Sequence, residues 1–321
     1  MIVSVSRRTD IPAFYSEWFY KRIEAGFVHV INPMNIKQVS KIALDPEHVD
    51  CFVFWTKDAR PMTKDIDKLD KFNYYFQYTI TGYGPEVEKN IKNKNEIIEN
   101  FKFLSRKIGK EKMILRYDPI FLTEKYTIDY HCGAFKKLCS KLKGYTTKCV
   151  ISFIDLYKKT ERNTKELHII KFDEDLIKEI AKKFVQIANE YEITIESCAE
   201  EIDLTKYGIV QGSCIDAKLV GSILGYEIDV KQDNQRKGCK CVKSVDIGQY
   251  NTCMHHCLYC YANFNYDEVK KSYELHNPNS TVLSGEIHPE AKITDRKMDR
   301  LKPLIKKDIE VIPNANQIKL F

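Results

Sequence analysis

Along the first two-thirds of the chain, short apolar or β-branched runs alternate with polar segments of helical period. The runs fall at 2–5, 28–31, 51–55, 74–79, 113–117, 148–153 and 193–197, and their length and composition suit strands. Between them the spacing predicts helices at about 15–25, 62–69, 87–108, 130–141 and 173–191. In the last of these, Leu176, Ile177, Ile180, Ala181, Phe184, Ile187 and Ala188 make an apolar stripe behind Asp173, a residue suited to the N-cap. Strands alternating with helices imply parallel pairing through helical crossovers.

An open sheet and a barrel share this rhythm, and the strand ends distinguish them. Nearly every run stops in polar residues: Arg7, Arg8 and Asp10; Asn32; Thr56 and Lys57; Thr79 and Thr81; Arg116 and Asp118; Ser152 and Asp155; Glu196. A barrel gathers such ends at one mouth, whereas an open sheet spreads most of them away from its switch point. The expected fold is therefore α/β, a parallel β/α barrel, TIM-like and full or partial. Residues 1–200 form its body, 201–265 a cysteine-rich segment completing it, and 266–321 a tail that wraps the surface or frays. A short helix is expected near 215–224 and a strand at 241–247.

A chain of 321 residues, 43% hydrophobic, has ample material for a packed core. With 13 glycines and 10 prolines it is neither collagen-like nor dominated by linkers. No apolar run reaches membrane-spanning length, and Arg7, Arg8 and Asp10 interrupt any signal-peptide core. The expectation is a soluble, cytoplasmic protein with no membrane partner. The net charge of +6 arises from 51 basic and 45 acidic residues in mixed-sign stretches, too even to imply nucleic acid.

Eleven cysteines without a secretory signal point to metal or redox chemistry. Cys51, Cys132, Cys139 and Cys149 are scattered, and the other seven lie between positions 198 and 260. Cys253, Cys257 and Cys260 have the spacing C-x3-C-x2-C. Three thiolates so close can hold a cubane iron–sulfur cluster and leave its fourth iron without a protein ligand. A zinc site is closed by four ligands, and His255 and His256 sit inside the loop where their reach is poor. Cys198, Cys214, Cys239 and Cys241 make a second set, fit for an auxiliary 4Fe-4S cluster, for zinc, or for buried thiols alone.

The C-x3-C-x2-C motif with Tyr259 before its third cysteine resembles the cluster motif of the radical S-adenosylmethionine superfamily. That resemblance implies a 4Fe-4S cluster on Cys253, Cys257 and Cys260 that binds S-adenosylmethionine and cleaves it to a 5'-deoxyadenosyl radical, which abstracts hydrogen from an unknown substrate. It also implies a full or partial β/α barrel and an electron donor such as flavodoxin or ferredoxin. SRRTDIPAFY, VFWTKDARPM, LRYDPI, CVISFIDLYKKT and SVDIGQYNTCMHHCLYCYAN further resemble an uncharacterised, mainly bacterial family of unknown function within or beside the superfamily. Its relation to spore photoproduct lyase, which acts on DNA, is distant. The superfamily's cluster loop usually follows the first barrel strand; here it comes last, so a circular permutation is expected, with strand 241–247 beside strand 2–5.

On this reading Arg116, Asp118 and Glu196 are the candidate catalytic residues, and Arg7, Arg8 and Tyr259 the candidate cofactor contacts. Two other classes stay open. One is an iron–sulfur electron-transfer or cluster-carrying protein, with His255 or His256 as a fourth ligand. The other is a zinc-dependent nucleic-acid-binding module, for which neither a basic stripe nor an RNA-type aromatic motif is present.

Overall fold

The computed structural model describes residues 1–155, 158–233 and 238–304. Positions 156 and 157 of the fourth resemblance segment and the end of the expected tail, 305–321, lie outside the described residues. The strands in chain order are β1 (Ile2–Val5), β2 (Phe27–Asn32), β3 (Asn35–Ala43), β4 (Cys51–Thr56), β5 (Tyr74–Thr79), β6 (Met113–Ile120), β7 (Lys148–Phe153), β8 (Thr194–Cys198), β9 (Val210–Gly212), β10 (Ile228–Asp229), β11 (Val245–Asp246), β12 (Lys292–Asp295) and β13 (Lys302–Pro303). Eight of them form one sheet in the order β11-β1-β4-β5-β6-β7-β8-β9, every pair parallel.

Both faces of this sheet are buried, which is why its strands read as nearly continuous apolar runs. Alternate residues separate the faces. Val3, Phe52, Phe54, Tyr74, Phe76, Leu115 and Ile151 point into the outer core with Phe19, Phe101, Phe135 and Phe184 of the covering helices. Phe54 stacks on Phe76 at 4.9 Å and meets Phe19 edge-on at 5.5 Å, a geometry that aromatic quadrupoles favour. Ile2, Cys51, Val53, Tyr75, Ile114 and Val150 point the other way, into a second cluster with Cys214, Ile215 and Cys241.

The inner face is concave. Tyr75 Oη and Gln77 Nε2, both on β5, donate to the carbonyl of Cys214 just after β9, each at 2.8 Å. Four ladder spacings separate these strands, about 19 Å across a flat sheet, so the sheet curls until β5 faces the end of β9. No pairing between β9 and β11 occurs among the described residues. The chain there is joined instead by Val242 N donating to Ile215 O at 3.1 Å.

The structure departs from the sequence pattern in several places. The run at 28–31 is β2, but it pairs antiparallel with β3 in a hairpin outside the main sheet. β3 itself was not anticipated: its apolar residues Ile36, Val39 and Ile42 recur every third position, not every second. The helix expected from 87 starts at Lys94, because residues 87–90 give their backbone groups to the cysteine loop: Leu258 N donates to Val87 O, and Asn90 N to His255 O. The expected strand at 241–247 shrinks to β11, though it does lie beside β1, with Val3 opposite Val245. The tail is built in as far as it is described, with the helix Tyr266–Glu274, β12 against β3, and β13 against β10. Asp173 does cap its helix, accepting from Leu176 N. No helix among the described residues is long and apolar enough to cross a membrane.

Candidate functional site

The C-terminal ends of β1, β4, β5, β6, β7 and β8 open on a cavity of about 510 Å³, where parallel sheets place their ligands. Ser6 to Asp10, Trp55 to Lys57, Thr79, Arg116, Asp118 and Ser152 to Asp155 line it. The cysteine loop adds to its wall, with Cys253, Cys257, Tyr259 and Cys260 among the lining residues.

Local hydrogen bonds shape that loop. Asn263 Nδ2 donates to Cys253 O at 2.7 Å, Cys260 N to Cys257 O at 3.1 Å, and Tyr15 Oη to Thr252 O at 2.6 Å. Asp10 accepts from Ala13 N and Lys57 N and meets His255 Nε2 at 2.7 Å. His255 Nδ1 is buried and has no hydrogen-bond partner among the described residues.

Beneath the loop lies Glu88, 1% exposed. Its carboxylate meets Lys57 Nζ at 2.9 Å and Lys94 Nζ at 2.8 Å, and accepts from Thr81 Oγ1 at 2.7 Å and from Tyr259 Oη. Burial alone would raise its pKa, but Lys57 and Lys94 outweigh burial and hold it below the usual carboxylate range. Burial likewise pushes the thiols of Cys253, Cys257 and Cys260 above their ordinary value. Thiolates in such a place call for a cation, and a bound metal supplies one.

The second cysteine set also converges. Cys198 Sγ lies 2.9 Å from Cys214 Sγ, Cys241 is hydrogen-bonded to both Cys214 and Cys239, and Ile215 N donates to Cys241 Sγ at 3.4 Å. All four line the same cavity as the first three. Hydrogen bonds from Cys198 and Cys241, and the Arg116 guanidinium, hold the Cys214 thiol below its usual range despite burial.

These observations meet one comparison. The profile of a domain of unknown function, DUF1848, matches residues 2–262. The chain belongs to the DUF1848 family. No match was found among curated proteins or solved structures. The matched span of the DUF1848 domain contains both cysteine sets and every strand of the main sheet.

Within the DUF1848 domain the other candidates are placed as follows. Arg116 and Asp118 line the cavity but engage each other, Nε to Oδ1 at 3.1 Å and Nη2 to Oδ2 at 2.6 Å. Arg116 Nη1 turns to Gln77 Oε1 and Cys214 Sγ, and its guanidinium lies 5.3 Å over the Trp55 ring. Arg7 and Arg8 reach the rim, Arg7 beside Asp246 at 3.7 Å and Arg8 over Tyr250 at 5.1 Å. Tyr259 is in the wall. Glu196 is not among the lining residues; it pairs with Lys148 at 2.6 Å. His256 stacks on Tyr266 with ring centroids 3.6 Å apart.

Two carboxylates of this site were not singled out from the sequence. Asp246 accepts from Ser4 Oγ, Ser6 Oγ and Arg7 N at 2.8, 2.6 and 2.9 Å, and an acidic residue just before Gly248, at the end of an expected strand, was a usable signal. Glu88 gave none, because it sits in a stretch that reads as helix. Among the described residues no three His, Cys, Asp or Glu side chains stand about one point as a single ion requires. The motif thiols instead border a volume, which suits a polynuclear group.

Proposed function

We propose that this DUF1848 chain is a radical S-adenosylmethionine enzyme, with Cys253, Cys257 and Cys260 holding a 4Fe-4S cluster. The observation that carries the reading is that these three closely spaced thiols face the cavity into which the parallel strands empty their polar ends. When bound, the cluster and S-adenosylmethionine supply a 5'-deoxyadenosyl radical for hydrogen abstraction. On this reading the sheet is a partial, circularly permuted β/α barrel, with 1–200 as body, 201–265 completing it and 266–321 as tail. A cytoplasmic, low-potential donor such as flavodoxin or ferredoxin would supply the electron.

The chain's own residues orient and shield. Glu88, clamped by Lys57 and Lys94, holds Tyr259 and with it the loop between Cys257 and Cys260. Arg8 offers N–H groups to a carboxylate or phosphate at the rim, a task suited to guanidinium. Trp55, Tyr250 and Tyr261 give the cavity apolar walls that exclude water from a reactive intermediate.

A second reading has its own support. His255, between Cys253 and Cys257 in sequence, lines the cavity and has an orphaned Nδ1, and as a fourth ligand it would make a closed cluster for an electron carrier. Anaerobic reconstitution, reduction and addition of S-adenosylmethionine separate the two. The enzyme releases 5'-deoxyadenosine and methionine, slowly without substrate, and its cluster resonance shifts; Cys257→Ala loses cluster and cleavage together. An unchanged resonance and no 5'-deoxyadenosine would overturn the enzyme reading in favour of the carrier.

A further inference from the structure

We propose that Cys198, Cys214, Cys239 and Cys241 bind a second iron–sulfur cluster, facing the same cavity as the first; their sulfurs are strung out rather than gathered about one point as a single ion requires. These residues come from three separate places: the end of β8, the turn after β9, and the segment leading to β11. Only the curl of the sheet brings them together, yet their sulfurs form one continuous string from Cys198 through Cys214 and Cys241 to Cys239. Buried thiols elsewhere in this chain bond differently: Cys51 and Cys149 donate to the neighbouring carbonyls of Phe52 and Val150, as small apolar groups with a weak donor do. Four in succession are a donor set.

The surroundings are built for negative charge. Four thiolates around a cubane carry a net charge of roughly minus two. Arg116 Nη1 is directed at Cys214 Sγ at 2.9 Å, and Asp118 and Gln77 fix the rest of the guanidinium. The N–H of Ile215 is directed at Cys241 Sγ. Tyr75 and Gln77 pin the Cys214 carbonyl from across the sheet, so the ligand-bearing turn is held before any metal arrives. Metal entry replaces the S–H···S contacts with S–metal bonds, each thiol releasing its proton to solvent.

With four thiolates the centre has no open position, unlike the three-thiolate site opposite. It fits electron exchange across the cavity and bracing of the gap between β9 and β11. The proposal does not rest on S-adenosylmethionine chemistry and survives if that reading fails.

The test uses the full chain carrying Cys253→Ala, Cys257→Ala and Cys260→Ala, reconstituted anaerobically with iron and sulfide, and in parallel with zinc. About four iron and four sulfide per chain would support the site, whereas about one zinc and no iron would overturn the cluster in favour of a single ion. Adding Cys239→Ser and Cys241→Ser should abolish that binding, while Cys132→Ala, outside the set, should leave it intact. In the wild-type chain, differential alkylation read by mass spectrometry should show Cys198, Cys214, Cys239 and Cys241 protected together when metal is present. No metal in the triple variant, metal that persists after the two further substitutions, or equal alkylation with and without metal would overturn the proposal.

Discussion

Glu88→Gln removes the carboxylate that meets Lys57 and Lys94 while keeping the side chain's shape. At an effective dielectric of about 20, each contact near 2.9 Å is a gross attraction of roughly 6 kcal/mol, most of it offset by the desolvation of burying the charges. What the substitution exposes is the other side of that balance, an ammonium left without its counter-charge, for which a loss of about 3–5 kcal/mol is typical. Lys94 is 29% exposed and keeps carbonyl partners at Thr81 and Tyr83, so most of the loss falls on Lys57 and the expected value is about 3 kcal/mol. At roughly 2 °C per kcal/mol for a chain of this size, the midpoint of thermal unfolding should drop by about 6 °C. Glu17→Gln, which breaks an exposed pair with Lys21, is the control and should barely move it. Adding Lys57→Met to Glu88→Gln removes the stranded charge and should restore about 1–3 kcal/mol. A Glu88→Gln midpoint within about a degree of wild type, or a double variant no better than the single, would refute the argument that this carboxylate anchors the loop electrostatically.

His131 tests the same logic through pH. Its Nε2 faces the Phe121 carbonyl at 2.9 Å and so carries the proton, leaving Nδ1 to accept from Tyr117 Oη at 2.9 Å, and burial pushes its pKa down to about 4. Between about pH 6.5 and 4 the unfolded chain binds a proton that the folded chain refuses, so stability from this group is complete above that window and falls through it, by about 3 kcal/mol at most. Urea unfolding at pH 7 and pH 4.5 should show a smaller acid loss in His131→Gln than in wild type; identical losses would contradict the assignment. At Gly248 an added Cβ would sit 1.9 Å from Ser6 Oγ, the group that bonds Asp246. Gly248→Ala should cost about 1–3 kcal/mol by calorimetry, with part of it recovered by Ser6→Gly. An additive double variant would exclude this clash as the cause.

Periodicity in the sequence carried the parallel strands of the main sheet as far as 198 and the Asp173 cap, because each depends on which local positions are apolar or polar and not on which segment they meet. The three-cysteine motif was legible for the same reason: its ligands are neighbours in the chain. Partnership was decided only in three dimensions. The run at 28–31 left the sheet because β3 turned back on it, and the helix began at Lys94 because the cysteine loop claimed the backbone of 87–90. Arg116 and Asp118 were legible as polar strand ends, but only the fold shows them paired with each other and the guanidinium turned toward Cys214. Glu88 had no sequence signal at all, since its meaning comes from Lys94 six residues on and from Lys57 and Tyr259, which arrive from two distant parts of the chain. The four remaining thiols could be counted in the sequence, but their meeting depends on the curl of an eight-stranded sheet, a long-range property that no local pattern encodes.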